Sequence, residues 1–184
     1  MARVAASRLE PQILTIGHST RPFEEFLDLL KQHKVSCVAD VRTIPGSRHN
    51  PQFNRETLAE ALRRSEMTYL HLPHLGGLRR ARPDSINTGW RNASFRGFAD
   101  YMQTEEFAAG LQELLVLAQG GRVALMCAEA VPWRCHRSLI ADALLARKIP
   151  VAHIMGPGAL RPAQLTPFAR RRRGKVVYPA ESAK

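Results

Sequence analysis

The sequence predicts a single compact α/β domain: a mainly parallel sheet of about five strands with helices on both faces. Three observations carry this expectation. Short apolar runs alternate with stretches at helical spacing, the pattern that crossovers between parallel strands require. The strongest runs, VALM (Val123–Met126) and VAHIM (Val151–Met155), are apolar almost throughout, as strands covered on both faces are. The length, 184 residues, suits one globular domain and is short for two.

Taken in order, ILTIG (Ile13–Gly17) reads as a short buried strand. Pro22 then opens a helix in which Phe23, Phe26, Leu27 and Leu30 fall on one face. SCVADV (Ser36–Val41) is the second strand, and Asn54 is placed to cap a helix carrying Leu58, Ala61 and Leu62. TYLHL (Thr68–Leu72) is the third strand. After a long loop, Phe95–Leu117 reads as two helices broken near Thr104. RVALMC (Arg122–Cys127) is the clearest strand, Cys135–Lys148 an amphipathic helix, and Val151–Met155 the closing strand. Beyond Pro157 the composition turns to Pro, Gly and Arg, which predicts an irregular tail; VVYP (Val176–Pro179) is either an edge strand or unpaired. The expected division is a flexible start over 1–10, the α/β domain over 11–156 and a basic tail over 157–184.

Apolar residues at 45% and charged residues at 23% exclude collagen-like, wholly disordered and membrane-embedded chains. The net charge of +11 points to polyanionic partners. Arginine supplies 22 of the 27 cations, and the segment from Arg161 to Lys184 alone carries +6. Arginine grips phosphate through a fork of donors, so nucleic acid, DNA or RNA, is the expected partner. The alternative is a compositional preference for arginine, with the tail a solvated run. Three cysteines make no disulfide framework, and MARVAASRLEPQ lacks the apolar core of a secretory signal. No apolar run approaches the ~20 residues of a membrane span, so a cytoplasmic address and no membrane partner are expected. The sequence sets no oligomeric state.

Polar residues fall at the strand ends. Gly17, His18 and Ser19 follow the first strand, Asp40 and Arg42 end the second, and His71, His74, Gly76 and Gly77 follow the third. Cys127 and Glu129 follow the clearest strand. The carboxyl ends of parallel strands share one edge, where ligands bind. His18, Asp40, His74, Glu129 and Cys135 are therefore expected to line one concavity.

The same residues carry a family resemblance. TIGHS, DVRTIPGSRHNPQF, the stretch from Tyr69 to LGG, FADYM and MCAEAVPWRCHRSLIADAL together resemble the bacterial "domain of unknown function 488" family, over roughly Leu14 to Met155. The resemblance implies a compact α/β domain with a pocket built from those motifs, and it implies no reaction. The expected substrate-binding set from these motifs is Ser19, Arg42, Ser47, Tyr69, His74, Gly76, Gly77, Cys127, His136 and Arg137.

Read for chemistry, Cys135 sits in WRCHR at a predicted helix start, where the helix dipole, Arg134, Arg137 and a protonated His136 favour a thiolate. The alternative packs Cys135 beneath the helix. Cys127 lies eight residues earlier, close enough in the fold for the sulfurs to approach, while Cys37 within a strand belongs to the core. A C-x5-R phosphate cradle is excluded, because Trp133 and Ala141 stand where its arginine would be. Cys127, Cys135 and His136 do not follow the C-x2–4-C spacing of zinc sites, so neither metal nor cofactor is expected.

Asp40 and Glu129 are the carboxylates placed to orient a water or take its proton, although Asp40 can instead clamp Arg42. His18 is either catalytic or a satisfied hydrogen-bonding residue. In the long loop, Arg79, Arg80, Arg82, Trp90 and Arg91 interleave cations with an aromatic, as single-stranded nucleic acid requires, and Arg170, Arg171, Arg172 and Arg173 extend that charge. The bland alternative anchors Trp90 and Phe95 to the core. The leading expectation is an enzyme acting on nucleic acid or a nucleotide-like group. Within that class it is a repair- or modification-type hydrolase cleaving the N-glycosidic bond of an extruded base, with Asp40, Glu129, His18 and Cys135 as candidate catalytic residues. A cysteine-dependent enzyme for a small anionic or sulfur-containing substrate and a non-catalytic nucleic-acid-binding module remain the alternatives.

Overall fold

The computed structural model describes residues 10–180; most of the expected flexible start (1–9) and the last residues of the expected tail (181–184) lie outside the described residues. A six-stranded sheet forms the middle layer in the order β3-β2-β4-β1-β5-β6. Its strands are β1 (Ile13–Gly17), β2 (Cys37–Asp40), β3 (Thr68–His71), β4 (Val123–Cys127), β5 (Val151–Gly156) and β6 (Ala159–Pro162). The first five are parallel, and β6 runs antiparallel to β5. No helix among the described residues is long and apolar enough to cross a membrane.

Side chains alternate along each strand and so supply two cores. Leu14, Ile16, Val38, Ala124 and Met126 pack with Phe26 and Leu30 of α1 (Phe23–Gln32) and with Leu58 and Leu62 of α2 (Arg55–Arg64). On the other face, Ile13, Ala39, Val123 and Leu125 pack with α3 (Ala93–Tyr101), α4 (Glu105–Leu117) and α5 (Arg137–Ala146). Connections that step in opposite directions along the sheet must cross opposite faces to stay right-handed. That rule accounts for two helices on one side and three on the other. Cys37 is buried in the core as expected, and burial pushes its thiol up to about 11.

The two helices expected between Phe95 and Leu117 break at Thr104, whose hydroxyl accepts the Phe107 N–H and caps α4. Asn54 precedes α2 but does not cap it with its side chain, because its Oδ1 accepts the Ser47 N–H at 2.7 Å instead. That bond ties down the loop after β2.

The segment after Gly156 is not irregular. Pro157 and Gly158 (φ 63°) turn the chain into β6, whose exposed edge carries Arg161 and Pro162, residues that discourage further strand pairing. Further on, β7 (Arg170–Arg172) and β8 (Lys175–Val177) form a hairpin. Its two-residue loop, Arg173–Gly174, takes φ 48° and 77°, as the tightest hairpin turns require. Val176, Val177 and Tyr178 are buried. The Tyr178 hydroxyl donates to Asp142 Oδ2 of α5 at 2.8 Å, and its backbone N–H donates to Asn87 Oδ1 at 2.9 Å. Composition predicted a tail because the arginines are exposed; the apolar residues that bind it to the core are few but decisive.

His153 on β5 is buried and shares a 2.8 Å hydrogen bond with Thr15. Burial, then the Arg137 and Arg161 charges, hold its pKa down to about 4. The unfolded chain takes up a proton near pH 6.5, whereas the folded one resists until about 4, so stability falls as pH drops through that window. At about 1.36 kcal/mol per pKa unit the loss reaches up to about 3 kcal/mol. Urea titrations between about pH 7 and pH 4 should show a flatter profile for His153→Asn than for the parent; parallel profiles would refute the assignment.

Candidate functional site

β4 lies between β1 and β2, yet its chain leaves towards one face while theirs leave towards the other. The chain therefore parts at the carboxyl edge beside β4, which is where open parallel sheets form ligand crevices. A cleft of about 760 Å³ opens there. His18, Ser19, Arg42, Gly77, Cys127, Glu129 and Cys135 of the strand-end argument line it, joined by Ser47 and His136 from the motifs.

Asp40 and His74 do not line it. Asp40 is fully buried beneath the cleft, where it accepts from Arg42 N (3.0 Å), Arg42 Nε (2.9 Å), Arg42 Nη2 (2.6 Å) and the Tyr69 hydroxyl (2.7 Å). Its oxygens are thus committed to fixing Arg42, so the clamp reading holds and a water-activating role does not. Burial and the Asp40 carboxylate push the Tyr69 hydroxyl well above the usual range, so it stays a donor. Arg42 also donates to the Phe53 carbonyl at 2.8 Å and, through Nη1, to His18 Nε2 at 3.3 Å. His18 Nδ1–H in turn donates to the Ser19 carbonyl at 2.8 Å, and the ring stacks on Phe53 at 4.2 Å. Burial, with Arg42 adding to it, lowers the pKa of His18. With both nitrogens engaged in the neutral form, His18 is a positioning residue at the cleft wall.

His74 is exposed and packs its Cβ against Gly110 of α4, leaving its carbonyl to accept the Tyr101 hydroxyl. Gly76 lies under Thr43, and Gly77 faces the His136 ring; a Cβ at Gly77 would fall 2.4 Å from His136 Nδ1.

The cleft floor is a sulfur–imidazole cluster. The ligand atoms of Cys127, Cys135 and His136 all lie within 4.8 Å of one another, with His136 Nδ1 3.9 Å from Cys127 Sγ and 3.7 Å from Cys135 Sγ. Their sequence spacing hides this convergence, because a short 3₁₀ turn (Pro132–Arg134) folds Cys135 back onto the end of β4. The helix starts two residues later than expected, so Cys135 precedes it and His136 is its N-cap. The neighbouring Cys135 thiol lowers the pKa of Cys127. That of Cys135 is raised. Of the two, Cys127 is the sulfur whose surroundings favour the thiolate, whereas the sequence pointed to Cys135.

Glu129 is exposed at the cleft in a loop held from behind. Arg137, only 1% exposed, donates to the Glu129 carbonyl at 2.6 Å and to the Ala130 carbonyl at 2.9 Å. It supports the loop and does not line the cleft.

Most of these residues fall within one recognisable pattern: the family model for the domain of unknown function DUF488 matches residues 22–144. The chain belongs to that family. The match takes in Asp40, Arg42, Cys127, Glu129, Cys135 and His136 but stops short of His18 and of β5. No curated protein and no solved structure matches the chain.

The basic residues of this DUF488 protein are spread widely. Arg79 lies over the Tyr101 ring at 3.6 Å and donates to the Gly76 and Pro73 carbonyls; Arg82 pairs with Asp84 at 2.9 Å; Arg80 and Arg91 are exposed. Trp90 stacks on Phe95 at 4.8 Å and contacts Phe168 and Tyr178, so it anchors the loop to the core and is not a free stacking platform. The long loop is held by Asp100, which accepts from Ser85, Asn87 and the Arg82 N–H. Arg170–Arg173 lie in the hairpin, where Arg171 donates to the Leu145 carbonyl at the far end of α5, about 15 Å of helix from the cleft. The charge of the tail is therefore not brought to the site. The cleft gains residues outside the expected set, including Thr43, Asn92 and Arg134. Thr43 and Arg134 sit inside the motifs already singled out, and that adjacency was the available signal.

Proposed function

We propose that this DUF488 domain is a hydrolase acting on a nucleotide-like group, free or carried by nucleic acid, with Glu129 as its acid–base carboxylate. The observation that carries the reading is that Glu129 is the one acidic residue lining the cleft among the described residues, and its carboxylate has no hydrogen-bond partner there. Around it stand Arg42 and Arg134 for an anionic group, and Ser47, Asn50 and Asn92 for sugar or base edges. Phe95 lines the cleft with Trp90 stacked against it, a rigid surface for a planar ring. N-glycosidic cleavage asks for little more. Glu129 takes a proton from water, the water oxygen bonds to the anomeric carbon, and the electron pair of the broken C–N bond leaves with the base, which takes a proton from solvent as Glu129 gives its own back. Three free cysteines suit a reducing cytoplasm.

Glu129→Gln is expected to lower kcat on a responsive nucleoside or modified-base oligonucleotide by about 10²–10⁴-fold while leaving binding intact, read by mass detection of released base. Turnover that survives the substitution would overturn this reading. The Cys127 thiolate supports a second one, nucleophilic attack by sulfur, in which alkylation of Cys127 abolishes turnover and Glu129→Gln does not.

A further inference from the structure

We infer that Cys127, Cys135 and His136 form a three-ligand site for zinc, with the fourth position open to the cleft. Ordinary zinc bonds, about 2.3 Å to sulfur and 2.0–2.1 Å to nitrogen at tetrahedral angles, place sulfur and nitrogen about 3.6 Å apart. The observed separations are 3.7 and 3.9 Å. The three ligand atoms lie within 4.8 Å of one another, so an ion would draw them together by no more than about 1 Å.

The imidazole is set for this role. His136 Nε2 lies 3.0 Å from both the Val41 and the Leu75 carbonyls, and carbonyls only accept, so Nε2 carries the proton. Nδ1 is left with its lone pair facing the two sulfurs. A metal-bound histidine has the same arrangement, its distal N–H held by a carbonyl that fixes the tautomer and ring. The ring cannot turn away, because Gly77 packs on one side and Phe98 meets it at 5.0 Å. Two sulfurs and one imidazole select a borderline-soft ion such as zinc over magnesium or calcium, which prefer oxygen.

All three ligand residues line the cleft, so the site is not closed by a fourth protein ligand. Three protein ligands and a free position are the mark of a catalytic zinc, whose bound water ionises near neutrality. Glu129, two residues after Cys127 and in the same cleft, would be the carboxylate placed to take a proton from a water held there. Zinc deaminases divide the work in this way, with a glutamate that is not itself a ligand. This catalytic role rests on the hydrolase reading above; the metal site does not.

The test is metal binding to the whole chain, freed of metal by a chelator under reducing conditions. One equivalent of zinc should bind in competition with a chromophoric chelator. One equivalent of cobalt(II) should give intense tetrahedral bands in the visible and a thiolate-to-cobalt charge-transfer band in the ultraviolet. Cys127→Ser, Cys135→Ser and His136→Asn should each weaken zinc by at least tenfold, while Cys37→Ser leaves the affinity unchanged. If a ligand variant does not fold, X-ray absorption on the zinc-loaded parent should show two sulfurs and one imidazole nitrogen among the nearest atoms. Absence of the charge-transfer band, affinity indifferent to the cysteines, or a Cys127–Cys135 disulfide in place of metal uptake would overturn the site. Zinc bound through these residues with Glu129→Gln fully active supports the site and overturns the role given to Glu129.

Discussion

Asp40→Ala is expected to cost about 3–5 kcal/mol of stability, because it leaves a buried guanidinium without its counter-charge. Asp40 is fully buried and Arg42 only 6% exposed, joined by a 2.6 Å bond from Nη2 to Oδ2. The Tyr69 hydroxyl loses its acceptor at the same moment. Most of the cost lies in the orphaned charge, so replacing both partners by apolar side chains should recover much of it. Urea denaturation of Asp40→Ala and of Asp40→Leu/Arg42→Met separates the two contributions. A single variant close to the parent would show that the clamp is not what holds this wall of the cleft. If the single variant is badly destabilised and the double variant is stable but inactive, Arg42 is needed for the substrate as well as for the fold.

Gly17→Ala should cost about 3 kcal/mol, the upper end for forcing an extra methyl into a packed site, and should damage the cleft as well. A Cβ there would lie 1.8 Å from the Glu129 carbonyl oxygen and 2.7 Å from its carbonyl carbon. Both are backbone atoms, so no side-chain rotation relieves the contact. The strand cannot retreat, since β1 is paired on both sides, and the opposing loop is tied by the two Arg137 hydrogen bonds. Amide chemical shifts at residues 128–130, read beside the unfolding midpoint, should move together with it. Parent-like stability and unmoved shifts would show that the loop yields freely.

The fold was legible where periodicity dominates. Ile13–Gly17 and Val123–Cys127 are strands within a residue of their apolar runs, and Thr104 divides α3 from α4 as its capping chemistry dictates. It was not legible after Gly156, where four prolines, two glycines and four consecutive arginines outweigh the buried Val176–Val177–Tyr178 that seat the hairpin. Strand-end placement located the cleft, since it depends only on sheet topology. It did not tell lining residues from supporting ones: Asp40 and Arg42 are two apart, yet the first is consumed by the second. Local spacing was equally silent about the sulfur cluster, because the meeting of Cys127 with Cys135 depends on a turn too short to announce itself.

The place of β1 in the sheet has a consequence for how the chain acquires its shape. Ile13 pairs with Val123 on one side and Val151 on the other, so this strand borders partners made more than a hundred residues after it. Contacts of such long range slow folding. Until the stretches around Val123 and then Val151 emerge, ILTIG stays apolar and without its strand partners, open to aggregation and to capture by chaperones. Substitutions that weaken β5 should therefore reduce the yield of folded protein in cells more than they reduce its stability once folded.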